Sequence, residues 1–559
     1  MSVSHLARRQ RRSSLCVLLG IVLTLGVADP PSAGAGGPAS GPITPVTQCS
    51  SLAGKGFSGV GDAPGTVTSS AVVDVALSAG SVPFCDVKGF FAPHTNFELK
   101  LPTTTWRGQY LQEGCSSFCG SVQAALTDFP LAGFTCAAAG DGELALAADD
   151  EGHIAAPTDG SWAKDDLPSR VVFGLTSEHG LARISKAIIT AYYGRPAARS
   201  YYDGCSTGGR EALILAQRYP RDFDGIIAGA PAGNEAPLAL FNAWMVRSNT
   251  DQHGHQILNA EKIAVLHAAV LRACADADGI VDDPRRCGFD PASIRCAPGT
   301  DADSCLTPRQ VGAVRAFYRG PTDEHGRSLY NGGEPYGSEL GWRGAFVQPR
   351  SDTAAPGDTQ MATLALNALK YMAFVPNPPD SFTLDDVTFT EREFRRLNEL
   401  GDAIYNANDP DLRAFAAHGG KLILYHGWAD PAIPPWSTLD YYAAVQRTMG
   451  GAHASQSFSR LYMIPGAYHC LFAPDASTVN LADFLTPIIS WVEDGIAPGD
   501  VPADTFSLTD QTVTFQQTVR PFDALTAVHP PPGSLNGHYD YIGTYSHPRW
   551  HRRPPPALR

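Results

Sequence analysis

The chain has 559 residues, of which 43% are hydrophobic and 18% are charged, with 55 Gly and 44 Pro. This composition excludes collagen, a long coiled coil and wholesale disorder, because enough apolar material is present for a large core. The formal net charge of −14 excludes a generally basic surface for nucleic acid and disfavours non-specific binding to anionic membranes.

The first 28 residues have the pattern of an export signal. Four arginines between Arg8 and Arg12 precede an apolar run from Leu15 to Val27, and small residues follow. As a helix the run would span about 20 Å, shorter than a bilayer core of about 30 Å. The sequence predicts a signal peptide over residues 1–28, of the Sec or twin-arginine type, and a secreted chain with no membrane partner after its removal. An uncleaved anchor or a cytosolic leader is the alternative.

Cysteine usage agrees with export. Of the 12 cysteines, Cys16 lies in the predicted signal, so an odd number remains and at least one should be unpaired. Proximity favours disulfides between Cys274 and Cys287 and between Cys296 and Cys305. Cys49 and Cys85 are also expected in disulfides, and no spacing fits a zinc site. The sequence leaves open the partners of Cys115, Cys119 and Cys136.

The next part of the chain alternates strand-like and helix-like segments. Residues 29–48 are rich in Pro, Gly, Ala and Ser and are expected to form a flexible leader. Residues 49–232 are predicted to form the first part of an α/β domain. Its clearest elements are a helix from Leu181 to Tyr193, a strand near Ser200–Tyr202, a helix from Arg210 to Arg218 and a strand from Gly225 to Ala230. The final strand–helix–strand series predicts a βαβ crossover and therefore a parallel sheet.

The character of the sequence changes over residues 233–401, which contain four closely spaced cysteines, an acidic run and scattered aromatic residues. This segment is predicted to be a lid inserted into the sheet domain. The α/β pattern resumes over residues 402–525, with strands from Lys421 to Tyr425 and from Arg460 to Ile464. Residues 526–559 form a Pro-rich tail whose last stretch is expected to be poorly ordered.

The segment Gly204-Cys205-Ser206-Thr207-Gly208 fits the pattern G-x-S-x-G between a predicted strand and a predicted helix. Small residues in this pattern permit a strained strand-to-helix turn that exposes the Ser206 hydroxyl above the sheet. The alternative is a plain Gly-rich turn. The placement between strand and helix favours a nucleophile.

A serine nucleophile needs a base, and the base needs a carboxylate to orient it. Asp430 follows the strand that begins at Lys421, and His469 follows the next strand, 39 residues later. This chain order of serine, acid and histidine matches the order in α/β-hydrolases. His426 is the nearest rival base, but it precedes the acid and lies within or at the end of a strand.

Two further cysteines flank these residues. Cys205 immediately precedes Ser206, and Cys470 immediately follows His469. If the hydroxyl and the imidazole lie within hydrogen-bond reach, their neighbours are close enough for a disulfide. The alternative is two unrelated buried cysteines. The sequence therefore predicts a Cys205–Cys470 bond that ties the two loops together.

These segments resemble the tannase and feruloyl esterase family. The resemblance rests on residues 202–210, on Gly427-Trp428-Ala429-Asp430-Pro431 and on the pair His469-Cys470, and it extends over most of residues 45–525. It implies an α/β-hydrolase fold: a mostly parallel sheet with helices on both faces and a large inserted lid. It also implies a secreted enzyme that cleaves esters of aromatic acids.

The resemblance and the chemistry of acyl transfer suggest further site residues. The oxyanion hole should use the N–H of Thr207, which follows the nucleophile, and that of Gly114, in a segment similar to the family's Gly-rich loop. An ordinary turn is the alternative for Gly114. In the acyl pocket, Trp342 is expected to stack on the ring and Ile433 to line the same space. Most such aromatic residues are simply core.

Relatives in this family carry calcium in the lid, inside a Cys-bounded acidic loop. The corresponding loop here offers Asp276, Asp278, the carbonyl of Ile280 and Asp282, which are hard oxygen ligands. The loop is about four residues shorter than the family's usual form by this resemblance. A structural Ca²⁺ is expected here, and the alternative is a solvated acidic loop.

Taken together, the residues predict a secreted serine carboxylic ester hydrolase that works through an acyl-enzyme. Its expected partner is a small aromatic ester of the feruloyl or galloyl type, free or attached to a plant polymer, and not nucleic acid. A secreted serine peptidase or thioesterase with the same residues is the rival enzyme. The rival outside enzymes is a catalytically silent binding protein of the same fold.

Overall fold

The computed structural model describes residues 41–545, except for 78–79, 123–135, 352–354, 476, 527, 529–530, 532–533 and 537–539. The predicted signal peptide, most of the predicted leader and the end of the tail therefore lie outside the described residues. Among the helices that are described, none has both the length and the apolar composition required to cross a membrane.

A large mixed sheet runs through the described part of the chain. Its strands are β1 (Gly56–Phe57), β2 (Gly65–Leu77), β3 (Gly80–Phe91), β4 (Thr95–Pro102), β5 (Gln109–Glu113), β6 (Leu144–Asp149), β7 (Arg199–Cys205), β8 (Gly225–Gly229), β9 (Lys421–Gly427) and β10 (Ser459–Ile464). They lie in the order β1-β2-β3-β4-β6-β5-β7-β8-β9-β10. In this sheet order, each neighbouring pair from β1 through β4 to β6 is antiparallel. Each pair from β6 through β5 to β10 is parallel.

Helices pack along the sheet and in the segment that follows β8. They are α1 (Ala137–Gly140), α2 (Leu167–Val171), α3 (Ser177–Tyr193), α4 (Thr207–Arg218), α5 (Glu235–Ser248), α6 (Ile263–Cys274), α7 (Pro308–Arg319), α8 (Gln360–Asn367), α9 (Glu391–Leu400), α10 (Arg413–Ala417), α11 (Trp436–Thr448), α12 (Ala452–Ser455) and α13 (Leu485–Glu493). Two small sheets follow β10, built from β11 (Thr478–Leu481), β13 (Asp504–Ser507) and β14 (Thr512–Phe515), and from β12 (Val501–Pro502) and β15 (Thr518–Val519).

The crossover predicted from the sequence is confirmed. β7 enters α4 directly, and β8 lies parallel to β7 with Tyr201 opposite Gly225. The parallel strands are buried almost completely because helices cover both faces. The carboxyl ends of β7, β9 and β10 therefore lie at one edge of the sheet, where the loops that follow them come together.

The chain between β8 and β9 leaves the sheet and forms its own packing units. One apolar cluster joins α5, α6 and α7 around Phe241, Phe317 and Trp342. A second cluster joins α5 to α8 and α9 through Leu240 and Leu397. This inserted segment reaches the edge of the sheet that carries the loops after β7 and β9.

Part of the predicted tail is well packed. The Tyr545 hydroxyl accepts hydrogen bonds from the amides of Asn234 and Asn331 and donates one to the carbonyl of Ser437 at 3.1 Å. Asn536 is 2% exposed and donates to the carbonyl of Glu334. These contacts hold residues near 536 and 545 against the inserted segment, and the last stretch of the predicted tail lies outside the described residues.

Candidate active site

Ser206 stands at the turn between β7 and α4. Its backbone has φ = 66°, a left-handed conformation that non-glycine residues rarely adopt. The turn closes tightly because a Cβ on Gly204 would lie 2.6 Å from the backbone of Gly208. The N–H of Ser206 donates to the carbonyl of Gly229, which ties the turn to β8. The pattern G-x-S-x-G predicts a strained strand-to-helix turn, and the structure has such a turn at Ser206.

Asp430 and His469 form a hydrogen-bonded pair on the loops after β9 and β10. The Nδ1 of His469 lies 2.7 Å from the Oδ2 of Asp430, which is fully buried. The other oxygen of Asp430 accepts the N–H groups of Ala432 and Ile433. Burial alone would raise the pKa of Asp430, but the nearby His469 and a hydrogen bond from His426 outweigh it and hold the pKa well below its usual range.

His426, the rival base, has a different place. It is fully buried, and its Nδ1 lies 2.8 Å from the hydroxyl of Thr438. Its Nε2 lies 2.8 Å from the carbonyl of Ile433 and 3.2 Å from Asp430. Both ring nitrogens therefore contact protein atoms, and His426 supports the acid instead of facing the cavity.

A disulfide joins the serine loop to the histidine loop. Cys205 and Cys470 are bonded, with their Cα atoms 5.9 Å apart across a sequence separation of 265. Ser206 and His469 line one cavity of about 420 Å³, a size that suits a small organic ligand. The described contacts place no hydrogen bond between the Ser206 hydroxyl and the His469 ring. Such bonds are often long without substrate and shorten when it binds.

Of the two residues predicted to donate an N–H to the oxyanion, the structure places only Thr207 at the cavity. Thr207 is the first residue of α4, where helix N–H groups have no intrahelical acceptor, and it lines the cavity. The assignment of Gly114 is wrong, because its N–H donates to the carbonyl of Asp203 at 2.9 Å. Gly114 directly follows β5 and continues its pairing with β7. In the same loop Ser117 lines the cavity, and its N–H has no acceptor among the described residues.

The remaining disulfides agree with the sequence. Those between Cys49 and Cys85, Cys274 and Cys287, and Cys296 and Cys305 are present. The structure also resolves the pairing left open, since Cys115 bonds Cys119 and Cys136 is a free, buried thiol. The Cys115–Cys119 bond spans the loop that contains Ser117.

Of the two predicted substrate contacts, Ile433 lines the cavity and Trp342 does not. Trp342 is fully buried in the core of the inserted segment, and its indole N–H donates to Glu334 and Ser338. The prediction that Trp342 stacks on the substrate is therefore wrong. Its hydrogen-bonding group is satisfied inside the core, as a buried indole requires, and only its neighbours Gly341 and Arg343 reach the cavity.

The acidic loop between Cys274 and Cys287 has some of the features that a calcium site requires and lacks others. Asp276, Asp278 and Asp282 form no ion pair within the described part of the chain, and burial together with the charges of the other two raises the pKa of Asp282. The carbonyl of Ile280 accepts the N–H of Asp276 at 2.8 Å. The oxygen donors suit Ca²⁺ chemically, but the three carboxylates are not gathered within 4.8 Å of one another. The calcium ion stays a prediction.

The structure contains a buried cluster of acids that the sequence reasoning missed. Carboxyl oxygens of Asp149, Glu151 and Glu178 lie within 4.8 Å of one another. Glu211 lies beside them and accepts the N–H of Cys115 at 3.2 Å. Burial raises the pKa of all four, that of Asp149 to about 8. The acids come from the end of β6 and the turn after it, from α3 and from α4, so only the sheet and helix pairing reveals them.

These acids make the stability depend on pH. Asp149 keeps its proton up to about pH 8 in the folded chain but loses it near pH 4 when unfolded. The folded state therefore binds more protons between those values, so its stability falls as the pH rises through this window. The thermal midpoint should fall from pH 5 to pH 9, and Asp149→Asn should reduce that fall.

Thermal scans at several pH values measure this slope. Exposed Asp74 on β2 is the matched control, and Asp74→Asn should keep the wild-type slope. An Asp149→Asn variant with an unchanged slope would show that Asp149 is ionised in the folded chain.

The sheet, the serine elbow after β7 and the acid–histidine pair after β9 and β10 define a protein of the α/β-hydrolase class. A sequence profile described as tannase and feruloyl esterase matches residues 78–527. The chain belongs to the tannase and feruloyl esterase family, and it is a carboxylic ester hydrolase.

Individual relatives agree with this assignment. A mono(2-hydroxyethyl) terephthalate hydrolase of Piscinibacter sakaiensis is 30% identical over 491 residues, which cover 76% of this chain and 79% of that protein. An esterase of Xanthomonas campestris pv. campestris is 32% identical over 496 residues, which cover 80% and 83%. The structure of feruloyl esterase B from Aspergillus oryzae is similar in fold, with a TM-score of 0.69 at 23% identity, over 82% of this chain and 92% of that one.

Proposed function

We propose that the chain is a secreted serine esterase that cleaves esters of aromatic acids through an acyl-enzyme. One observation carries this proposal: a disulfide beside Ser206 and His469 holds both in one cavity, while Asp430 is bonded to the histidine. The names of the relatives, which include feruloyl esterases and a mono(2-hydroxyethyl) terephthalate hydrolase, support an aromatic acyl group.

The proposed reaction follows from the positions of these groups. His469 removes the proton of Ser206 as the hydroxyl oxygen attacks the ester carbonyl, and Asp430 stabilises the imidazolium. The N–H groups of Thr207 and Ser117 stabilise the oxyanion. The Thr207 hydroxyl donates to the Ser117 carbonyl at 2.6 Å and so links the two donors.

The same groups complete the formation of the acyl-enzyme and then its hydrolysis. His469 gives its proton to the leaving alcohol oxygen as the bond from that oxygen to the acyl carbon breaks. A water molecule then gives a proton to His469 as its oxygen attacks the acyl carbon. The bond from that carbon to the Ser206 oxygen breaks, His469 returns the proton to this oxygen, and the acid and free Ser206 are released. No external oxidant, reductant or cofactor enters this balance.

Secretion is supported by the oxidised cysteines and by the predicted signal. Five disulfides occur among the described residues, a number typical of extracellular proteins. The buried free thiol of Cys136 is compatible with that compartment, because burial raises its pKa and keeps it unreactive.

A substrate panel tests the proposed function. The purified protein is expected to hydrolyse p-nitrophenyl acetate and methyl ferulate, and a rapid acid quench should leave the acyl group on the peptide that contains Ser206, as seen by mass spectrometry. A peptide anilide and a thioester serve as comparison substrates. Faster cleavage of either one, or acylation of another residue, would contradict the assignment.

A further inference from the structure

Three acidic side chains that take no part in the proposed reaction meet in the interior, where α3 packs on β6. Asp149 is the last residue of β6, Glu151 lies in the turn after it, and Glu178 is in the first turn of α3. Their exposed fractions are 2%, 1% and 5%. One carboxyl oxygen from each residue lies within 4.8 Å of those from the other two. We call these three residues the acid trio.

The carboxyl group of Glu151 receives no donor from the protein. Neither of its oxygens has a hydrogen-bond partner among the described residues, and one oxygen of Glu178 has none either. The neighbours of the Glu151 carboxyl group are the carboxyl groups of Glu178 and Glu211. Ionised carboxyl groups only accept hydrogen bonds, so they cannot satisfy one another. Because an unsatisfied buried acceptor is costly, the space between these oxygens requires a cation or protons.

The positive charge beside the acid trio is already engaged. Arg210 is fully buried, and its guanidinium lies 3.7 Å from the carboxylate of Glu211. Its terminal nitrogens donate to the carbonyls of Phe173 and Gly174. This charge can balance that of Glu211 but not those of three further carboxylates. Buried charges without a counterion are costly, so the acid trio is suited to a bound cation.

The convergence of three oxygens is the geometry that a metal ion needs. A shared proton joins two oxygens, whereas a cation is surrounded by several. When three atoms lie within 4.8 Å of one another, some point lies within about 2.8 Å of all three, near the length of about 2.3–2.6 Å of a Ca²⁺–oxygen bond. Carboxylates are hard donors that prefer Ca²⁺ or Mn²⁺ to softer metals. We propose that the acid trio binds one divalent cation of this kind, which joins the turn after β6 to α3.

The cation and protons compete for the same oxygens. Burial raises the pKa of all three acids, so the cation-free chain holds protons there at neutral pH. A bound cation stabilises the carboxylate form and displaces them. This site does not depend on the proposed function, and it is separate from the predicted calcium loop between Cys274 and Cys287, which lies in the inserted segment. The two sites can therefore be emptied one at a time.

Metal analysis of the folded chain tests this proposal. The parent protein carries Asp276→Ala and Asp278→Ala, which remove two ligands of the predicted calcium loop. It is produced in a medium with Ca²⁺ and Mn²⁺, passed through a gel-filtration column and analysed by inductively coupled plasma mass spectrometry. It should retain one ion per chain, and adding Glu151→Gln should remove that ion, because the carboxamide is similar in shape but uncharged. Asp74→Asn, on exposed β2, is the matched control and should keep the ion.

A variant on the other element controls for misfolding. Glu178→Gln in α3 should lose the ion as Glu151→Gln does, and near-ultraviolet circular dichroism reports whether each protein is folded. Ca²⁺ at about a hundred times its Kd should raise the thermal midpoint of the chelator-treated parent by about 3 °C, with no shift in either variant. An equal ion count in the parent and the folded variants, or a parent without any bound ion, would overturn the proposal and show that shared protons satisfy the acids.

Discussion

Ser206→Ala is expected to lower kcat for p-nitrophenyl acetate and methyl ferulate by about 10⁴-fold or more. The hydroxyl oxygen is the atom that bonds the acyl carbon, so no neighbouring side chain can replace it. Substrate binding should persist, because the cavity wall, which includes α5 and α8 of the inserted segment, is unchanged. Steady-state kinetics and equilibrium binding of a slowly hydrolysed ester measure the two effects separately.

The matched control for this variant is Ser293→Ala, which removes an exposed hydroxyl far along the chain and should keep full activity. The thermal midpoint of Ser206→Ala should stay close to that of the wild type, since the Ser206 hydroxyl forms no hydrogen bond with the described residues. A Ser206→Ala protein that retains more than a tenth of the wild-type kcat would refute a serine nucleophile.

The sequence predicted the local parts of the fold better than the distant pairings. The crossover from β7 through α4 to β8 lies within about thirty residues and combines an apolar strand, a glycine turn and an amphipathic helix, so each step has its own signal. For the antiparallel strands from β2 to β4, the sequence shows no such series of signals. Their order in the sheet depends on partners that no local pattern identifies.

The same distinction separates the predicted site residues that the structure brings together from those that it does not. Ser206, Asp430 and His469 each follow a strand, and strand ends gather at one edge of a parallel sheet, so their approach could be inferred. Gly114 also follows a strand, but its N–H donates to the carbonyl of Asp203 on β7 and is not free to bind an oxyanion. Trp342 was expected in the cavity as an aromatic residue of the lid, and its hydrogen bonds inside the core could not be inferred from sequence.

Breaking the Cys205–Cys470 bond is expected to have the largest effect on stability. It closes a loop with a sequence separation of 265, for which loop entropy gives about 5 kcal/mol of unfolding free energy. The double variant Cys205→Ala with Cys470→Ala should lose about that amount. Its activity should fall by more than tenfold at temperatures where it stays folded, because the histidine loop loses its link to the serine turn.

The bond between Cys296 and Cys305 is the control for this prediction, since it closes a loop with a separation of only 9. The same entropy relation gives about 3 kcal/mol for it, and it lies far from Ser206 in the chain. Its double alanine variant should lose less stability and keep the wild-type kcat.

Cys470 and Leu471 have φ values of 49° and 71°, so the histidine loop is held in a conformation that non-glycine residues disfavour. Freed from Cys205, this loop should relax and carry His469 away from the serine. Full activity in the Cys205→Ala, Cys470→Ala protein would show that the sheet alone positions both residues.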